Sequence, residues 1–375
     1  SSEANVLLKF EQSHRRYAKT TYVLWSTDGG TTWNEVEVNG DMATNTNTTN
    51  PADYQVNLSN EIGGQDSVRI GFKYVGQFDW FWAIDDVKIT TPDDHDVALS
   101  GLYWGSTGAW GDRLPYYQIP TAQVAPIDFS ADIFNGGVNN QSNVKLNVNV
   151  NSGAFVGSSA PATIVSLDTL NVTVATQFTP AATVGAYTVT RNITADSTDD
   201  VSANNTMSDI TFNVSNFIYA RDNNVVSGST SNGTTGFETG NLYDIFQDAL
   251  LKAINVRLPN GTSGATVGTE IYTKLYSIDP VSGDFVYESE SAPLVLAANN
   301  LNTNLVIELE PYVNVTAGTT YLAVVGSFTS GLKVSNAGTS PAQTSFLLDG
   351  NDITTSTLFY QTSTPYVRLN FDPVL

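Results

Sequence analysis

The stretch Gly71-Phe-Lys-Tyr-Val-Gly-Gln-Phe-Asp-Trp-Phe-Trp-Ala-Ile-Asp-Asp-Val-Lys-Ile-Thr90 decides the fold class. Its aromatic and aliphatic residues alternate with other residues over two segments of strand length, as in strands with one face on a core. Similar runs recur at short intervals along the chain, at residues 6–10, 22–26, 67–75, 81–89, 144–150, 186–194, 210–219, 271–278, 321–328 and 366–371. Short strands separated by turn residues predict an all-β fold of sandwiches.

One segment leaves two local structures open. Residues 241–251 carry apolar side chains at helical spacing, so a short helix is one interpretation. The run from 250 to 258 reads as a strand, and a loop followed by that strand is the interpretation we favour.

Composition and charge exclude several functions. Only 14% of the residues are charged, against about a quarter in ordinary globular proteins, and Asn, Thr, Ser and Gly replace them. The formal net charge is −21, from 37 acidic and 16 basic residues. Such a field repels nucleic acid and anionic membranes and attracts divalent cations. We therefore expect an extracellular β protein that does not bind nucleic acid.

The chain has no cysteine, which excludes disulfides, thiolate metal sites and cysteine nucleophiles. No apolar run approaches the roughly 18 residues of a spanning helix, so we expect no membrane insertion. Residues 1–30 contain no signal-peptide core, and we expect any export signal to lie upstream. These features favour a bacterial extracellular or cell-surface location.

The length of 375 residues predicts two or three domains. Two polar stretches divide the chain: residues 91–96, which include a proline, and residues 222–236, which are rich in Gly, Ser, Asn and Thr and read as a linker or long loop. We therefore predict three β-sandwich domains in series, at residues 1–92, 93–218 and 219–375.

The 71–90 stretch resembles the last two strands of the MAM-like jelly-roll modules of bacterial surface proteins, including the cleaved-adhesin type. The resemblance implies that residues 1–92 are the C-terminal half of such a module. Its other strands then come either from an upstream half or from another chain, by strand complementation.

Residues 93–218 resemble the immunoglobulin-like CARDB modules. The matching pieces are residues 127–134, the Asn135-Gly-Gly-Val-Asn139 turn, which we expect to be a hairpin with positive φ, residues 144–150, residues 185–196 and Asn204-Asn205. Residues 219–375 resemble the β-sandwich that often precedes the sorting region of proteins exported by the type IX system of Bacteroidetes, through residues 253–258, 269–277, the 315–325 edge and 366–371.

Ser26-Thr-Asp-Gly-Gly-Thr-Thr-Trp33 matches the Asp-box pattern. In it Asp28 is expected to bind the amides of its own turn, and the glycines to take positive φ. Sialidase propellers carry several such turns. The single copy here favours a structural hairpin over a glycosidase propeller.

Asp85 and Asp86 end an apolar strand, where carboxylates must be solvated, paired or metal-bound. The family resemblance implies a calcium ion held through Asp86 ahead of Asp85. The alternatives are a salt bridge to Lys73 or Lys88, or simple exposure.

Residues 102–117 hold the strongest ligand-binding pattern, because aromatic residues lie among glycines: Tyr103, Trp104, Trp110, Tyr116 and Tyr117. Flat rings stack on sugars, and Asp112 or Arg113 could bond to hydroxyls. The alternative, which we favour, is packing at the interface between the first and second units.

No catalytic constellation stands out. His14, expected at a hairpin tip, and His95 are far apart in sequence, and no Gly-x-Ser-x-Gly occurs. The acidic clusters at 93–96 and 196–200 lack EF-hand spacing, so we favour solvated loops over low-affinity calcium sites. Asp-Ser/Thr-x patterns resemble Bacteroidetes O-glycosylation sites, with Ser67, Thr169 and Ser197 as acceptors.

These observations predict a secreted cell-surface adhesin or structural protein that is not an enzyme within these residues, with other surface proteins or glycans as partners. Two alternatives stay open. One is a self-assembling extracellular filament subunit, formed by strand complementation. The other is the accessory binding region of a secreted hydrolase.

Overall fold

The computed structural model describes residues 3–17, 20–76, 80–233, 235–262 and 264–374. Strands make up 54% of the chain and helices 4%, so the predicted all-β class is confirmed. Residues 77–79 of the 71–90 stretch lie outside the described residues. No helix in the described ranges is long and apolar enough to cross a bilayer. The division into three domains stays a prediction.

The described residues up to 90 form two antiparallel sheets packed face to face. Their elements are β1 (Leu7–Arg15), β2 (Thr20–Ser26), β3 (Asn34–Val38), β4 (Ala52–Asn57), helix α1 (Ser59–Ile62), β5 (Arg69–Val75) and β6 (Phe81–Thr90). The strand orders are β4-β1-β6 and β3-β2-β5. Phe10 lies between the sheets, with its ring 5.4 Å from Tyr54 and 5.1 Å from Phe72.

The middle region is also a pair of sheets. Its strands are β7 (Val97–Thr107), β8 (Arg113–Leu114), β9 (Gln118–Pro120), β10 (Asp128–Asn135), β11 (Gln141–Val150), β12 (Phe155–Ser158), β13 (Ala162–Ile164), β14 (Thr169–Thr173), β15 (Gly185–Thr194), β16 (Ile210–Ser215) and β17 (Ile218–Tyr219). The orders are β14-β10-β7-β8 and β12-β11-β15-β16-β9, with β13 beside β11 and β17 joining the next sheet. Short 3₁₀ helices lie at Thr121–Gln123 and Ser202–Asn204.

The C-terminal region is built around one long sheet. Its strands are β18 (Val226–Thr230), β19 (Phe237–Ile245), β20 (Ala249–Val256), β21 (Glu270–Ile278), β22 (Phe285–Ser291), β23 (Leu294–Val295), β24 (Leu305–Val315), β25 (Thr319–Ser327), β26 (Val334–Thr339), β27 (Ser345–Asp349), β28 (Thr357–Tyr360), β29 (Ser363–Pro365) and β30 (Val367–Asn370), with a 3₁₀ helix at Ala298–Asn300. The order is β17-β30-β20-β24-β22-β21-β25-β19-β27-β28, with β23 beside β21. A small sheet, β18-β26-β29, lies apart from it.

Buried apolar residues form two clusters. The first sheet pair has its own small cluster, which contains Val6, Leu8, Phe10, Val23, Val38, Leu58 and Ile62. The second cluster runs without a break from Val97 to Leu369, through both the middle and the C-terminal regions. The middle and C-terminal regions therefore share one core.

In the 241–251 segment the interpretation that we favoured, a connection followed by a strand, is correct and no helix forms. β19 continues to Ile245 and β20 begins at Ala249, so the connection is three residues long. Another local prediction in the C-terminal region is wrong. The 222–236 stretch is not a plain loop, because it contains β18 and begins at Asp222, which is 1% exposed and paired with Arg368. In addition, β25 lies between β19 and β21 rather than at a sheet edge.

The Asn135-Gly-Gly turn is not a hairpin. It connects β10 to β11, which belong to different sheets. Neither Gly136 nor Gly137 has positive φ. A Cβ on Gly136 would lie 2.3 Å from Oδ2 of Asp96, closer than any van der Waals contact. Glycine is needed here because residues 93–96 pass directly over the turn.

Candidate binding groove

A groove of about 910 Å³ opens between the middle and C-terminal regions, a volume within the range of small-molecule sites. It is lined by Leu102, Tyr103, Trp104, Thr107, Gly111, Asp112, Arg113, Pro115, Tyr117, Ser130, Asn171, Arg191, Ser208, Ile210 and residues 339–342. Three of the five aromatic residues predicted to bind a ligand, Tyr103, Trp104 and Tyr117, therefore face one space.

Tyr103 provides the exposed ring of the groove. Its side chain is 48% exposed, on the outer face of the β14-β10-β7-β8 sheet. Its hydroxyl donates to Oδ2 of Asp132 at 2.6 Å, and the Asn171 amide donates to Oδ1 of Asp132 at 2.7 Å. The hydrogen bond to Asp132, together with partial burial, raises the pKa of Tyr103. The ring is thus held in place by the neighbouring strand β10, whose Asp132 is in turn held by β14.

Trp104 and Tyr117 form the floor of the groove. Trp104 is 7% exposed, and its ring meets Tyr117 edge-on at 5.1 Å and Phe212 at 5.5 Å. Burial raises the pKa of the Tyr117 phenol. These two rings are largely buried, whereas Tyr103 is half-exposed and is the ring most available to a ligand.

The other two predicted aromatic residues hold the junction instead. Tyr116 is 1% exposed and stacks on Tyr219 at 4.2 Å, and its hydroxyl accepts a hydrogen bond from the Asp244 amide at 2.9 Å. The Trp110 amide donates to Oδ1 of Asp244 at 3.0 Å. Tyr116 and Trp110 are therefore not among the residues that line the groove. The packing that we favoured is present for them, but against the C-terminal region rather than against the first unit.

Asp244 is the centre of this junction. It is 1% exposed, and its carboxylate also accepts hydrogen bonds from the Gly108 amide at 3.1 Å and from the Thr320 hydroxyl at 2.5 Å. Burial raises the pKa of Asp244, against the effect of these donors. A Cβ on Gly108 would lie 2.5 Å from the Cβ of Asp244. The loop before β8 is therefore clamped to the C-terminal region, which fixes the shape of the groove.

A second bridge lies nearby. The Gln123 side chain donates to the Gln247 carbonyl at 2.8 Å and accepts from the Phe246 amide at 2.9 Å. Gln123 is 1% exposed, so both bonds are shielded from water.

Polar groups face the aromatic surface. The guanidinium of Arg113 donates to the Ser130 hydroxyl, and Asp112 is exposed at the rim. Arg191 lines the groove at 5% exposure, and our sequence analysis missed it. A signal was available: the inward positions of β15 are apolar at Val189 and Ile193, and Arg191 interrupts them.

Asp85 and Asp86 lie at a β-bulge. The pairing of β1 with β6 shifts register there, and Asp86 has φ of 46°. The Asp86 carboxylate is 59% exposed, and the Lys88 ammonium lies 3.9 Å from it. The backbone amide of Asp86 donates a hydrogen bond to Oδ1 of Asp85.

Calcium takes six to eight oxygen ligands, and an ammonium group is an unsuitable neighbour for it. Among the described residues, no group of three or more His, Asp or Glu side chains could hold a metal ion. The residues at the bulge therefore do not make up a calcium site by themselves. Calcium binding through Asp86 and Asp85 stays a prediction that requires oxygen ligands from elsewhere.

The two acidic clusters meet in space. The His95 amide donates to the Asp200 carboxylate at 2.9 Å, and the Val97 amide donates to Asp199 at 2.8 Å. Burial raises the pKa of Asp96, and the neighbouring charges of Asp199 and Asp93 raise it further. The Asp199 and Asp200 carboxylates therefore hold the backbone of the first cluster in place. The prediction that these clusters are solvated loops is wrong for these two residues.

His14 does not lie where its sequence predicted. His14 lies inside β1 at 2% exposure rather than at a hairpin tip, and its Nδ1 lies 2.9 Å from the Phe81 carbonyl oxygen. The ring of His14 packs edge-on to Trp82.

The Asp-box segment forms the local turn that its sequence predicts. The Asp28 carboxylate accepts hydrogen bonds from the Thr31 and Thr32 amides at 2.9 Å, and these donors lower its pKa well below the usual range. Gly29 and Gly30 have positive φ. The turn joins β2 to β3, which pair in one sheet.

The predicted glycosylation acceptors lie in three separate places. Ser67 precedes β5 and Thr169 begins β14, and both are exposed, whereas Ser197 follows β15 and is half-buried. Modification of these residues stays a prediction.

Comparison with known proteins leaves the chain without an assigned family. No protein-family description matches it, and no curated protein matches it.

Proposed function

We propose that this chain is a non-catalytic binding protein of the bacterial cell surface, and that the groove between the middle and C-terminal regions binds a glycan. The observation that carries the proposal is Tyr103, a half-exposed ring held by Asp132 beside a groove with polar side chains. An exposed ring has a face on which a sugar can stack, and planar polar groups nearby can bond to its hydroxyls.

The rigidity of the groove supports a binding role. Tyr103, Ser130 and Asn171 lie on three paired strands, and the Asp244 clamp fixes the loop opposite them. A preformed site loses little conformational entropy on binding.

The absence of catalysis is part of the proposal. Glycoside hydrolysis uses two carboxylates that flank the scissile bond. Among the described lining residues, Asp112 alone carries a carboxylate. Asp132, behind Tyr103, is already bonded to Tyr103 and Asn171.

The location is argued from composition. The low content of charged residues, the abundance of Asn, Thr, Ser and Gly, and the absence of cysteine support a secreted bacterial adhesin.

The test is a screen of oligosaccharides against the full chain, followed by calorimetry on any that bind. Tyr103→Ala should weaken binding at least about tenfold, which corresponds to about 1.4 kcal/mol, whereas Tyr103→Phe should keep much of the affinity. Tyr287→Ala is the matched control, because Tyr287 is 52% exposed on β22 and does not line the groove. Unchanged affinity in Tyr103→Ala, or no glycan binding at all, would count against the proposal.

A second candidate function is assembly through strand addition at β6. In the β4-β1-β6 sheet, β6 pairs with β1 alone among the described strands. Its exposed side chains include Phe81 at 47%, Val87 at 48% and Ile89 at 59%. A long edge strand with exposed apolar residues is a template for a strand from a second copy of this chain.

Sedimentation velocity over a range of concentrations tests this candidate. Assembly should increase with concentration, and Ile89→Lys should reduce it, because a charge on an edge strand opposes pairing. A wild-type protein that stays monomeric at high concentration would exclude self-assembly through β6.

A further inference from the structure

The groove contains a buried cation whose role in the fold does not account for all of its donors. Arg191 is 5% exposed, and its Nη2 donates to the Ser208 carbonyl oxygen at 2.5 Å. Its Nε has no hydrogen-bond partner among the described atoms. A buried guanidinium donor without a partner costs free energy, which a bound acceptor would recover.

Two other buried arginines show what a structural role looks like. Arg368 forms two hydrogen bonds with the Asp222 carboxylate, at 2.7 and 2.5 Å. Arg221 donates twice to Thr344, at 2.8 Å to its carbonyl oxygen and at 3.0 Å to its hydroxyl, although its Nε, like that of Arg191, has no partner among the described atoms. Arg191 has neither a hydrogen-bonded carboxylate nor a second donated bond in the described structure. Burial lowers the pKa of Arg191, and the negative charge of Asp209 opposes this effect.

The charge of the groove is opposite to that of the whole chain. The charged residues among its described lining are Arg113, Arg191 and Asp112, two cations against one anion. The chain as a whole carries a formal net charge of −21. The Asp132 carboxylate behind Tyr103 is already bonded to Tyr103 and Asn171, and the Asp209 charge acts on Arg191 without lining the groove. The two arginines are therefore the lining groups that can hold an anionic group.

We propose that the groove binds an acidic saccharide, with the carboxylate of a uronic acid residue held by Arg191 and Arg113 and a sugar ring stacked on Tyr103. The assignment rests on the proposed function of the groove. A planar guanidinium matches a planar carboxylate through paired hydrogen bonds. An aromatic face beside the cations suits a ligand that has both a sugar ring and a charge.

The net charge of the chain makes the test specific. A polyanion is repelled by the protein at long range, so its binding cannot be attributed to general electrostatic attraction. Any preference for the acidic ligand must come from local contacts.

The experiment measures affinity of the full chain for an oligogalacturonate and for its methyl ester, which has the same backbone without the charge. The acid should bind at least about tenfold more tightly than the ester. Arg113→Gln should reduce this ratio towards one, and so should Arg191→Lys, which keeps the charge but loses the planar fork. Tyr287→Ala should leave the ratio unchanged. Circular dichroism checks folding, and Arg113→Gln decides the matter if Arg191→Lys does not fold.

The outcomes separate the two proposals. Equal binding of acid and ester overturns the acidic-saccharide assignment and leaves glycan binding in place. Binding of neither, with no other glycan bound, overturns both. A sulfated oligosaccharide on a neutral backbone that binds as tightly as the uronate overturns the choice of carboxylate as the recognised group.

Discussion

Asp244 accepts a hydrogen bond from the backbone amide of Gly108 at 3.1 Å, although the two residues are far apart in sequence. The carboxylate belongs to β19 in the long C-terminal sheet, and the amide belongs to the loop between β7, which carries Tyr103, and β8, which begins at Arg113. This contact ties the loop of one region to the core of the next. The geometry of the groove therefore depends on a residue that does not line it.

Replacing Asp244 with Asn tests the clamp. An amide offers one acceptor oxygen where the carboxylate has two, so the Gly108 or the Trp110 amide loses its partner. A buried unsatisfied amide costs about 1–3 kcal/mol, and urea denaturation should show a loss of this size. Asp248→Asn is the control, since Asp248 is exposed and accepts one amide, that of Ala317. An equal loss in both variants would contradict the special role of Asp244.

The Asp222–Arg368 pair gives a second prediction. Its atoms approach to 2.5 Å, with side chains 0% and 5% exposed. Arg368→Met leaves a buried carboxylate without its cation and should lower the free energy of unfolding by about 3–5 kcal/mol. The double variant Asp222→Asn/Arg368→Met should recover part of this loss, because the remaining charge is removed. A double variant no more stable than Arg368→Met would show that the cost is one of packing alone.

Gly240 and Gly228 form a matched pair for the packing of the C-terminal region. A Cβ on Gly240 in β19 would lie 1.8 Å from the Ala323 carbonyl oxygen, whereas one on Gly228 in β18 would meet nothing within 4 Å. Neither residue has positive φ. Gly240→Ala should cost about 3 kcal/mol or more in thermal or chemical denaturation, and Gly228→Ala less than about 1 kcal/mol. Similar losses at both positions would be the contrary result.

Asp96 gives a prediction about pH. Burial raises its pKa in the folded state above the ordinary value of 3.8. As pH rises, the unfolded chain loses this proton first, so the contribution of Asp96 to stability is full below 3.8 and is lost as pH passes the folded pKa. Asp96→Asn cannot ionise and keeps an oxygen that can accept from the Asn204 amide, as Asp96 does. The stability of Asp96→Asn relative to the wild type should therefore improve from acid to neutral pH in denaturation experiments. A constant difference would show that Asp96 has an ordinary pKa.

Period-2 patterning predicted strands such as β11 and β15, because each has one face on a core. It missed β19, whose nine residues are all buried, since a strand covered on both faces shows no alternation. In β15 the buried residues Val189 and Ile193 alternate with exposed threonines, and the sequence shows this directly. Strands such as β8 and β23 have two residues each. Whether these short segments form strands depends on the strands that they pair with rather than on their own sequence. The same holds for β18, which lies inside a polar stretch whose composition indicates a loop.

The aromatic segment was predicted as a site, but the sequence could not separate its members. Tyr103 and Tyr116 have the same side chain and lie in the same aromatic segment. Gly105, with φ of 139°, bends β7, and a Cβ there would lie 2.3 Å from the Leu114 carbonyl oxygen. This bend interrupts the alternation of side chains along β7, so the sequence does not show which face of the sheet each residue lies on. Asp244, which holds Tyr116 and Trp110 in the interior, lies in another sheet.

The separation of the two apolar clusters has a mechanical consequence. Residues from Val97 to Leu369 share one core, while the first sheet pair relies on a small core of its own. In the proposed role at the cell surface, tension would act along the chain. We expect the first sheet pair to yield at the lower force and to lengthen the tether, because it has the fewest buried contacts to break. The shared core would keep the middle and C-terminal regions folded while the first sheet pair extends. The groove would then keep its shape, so that a bound ligand stays attached under load.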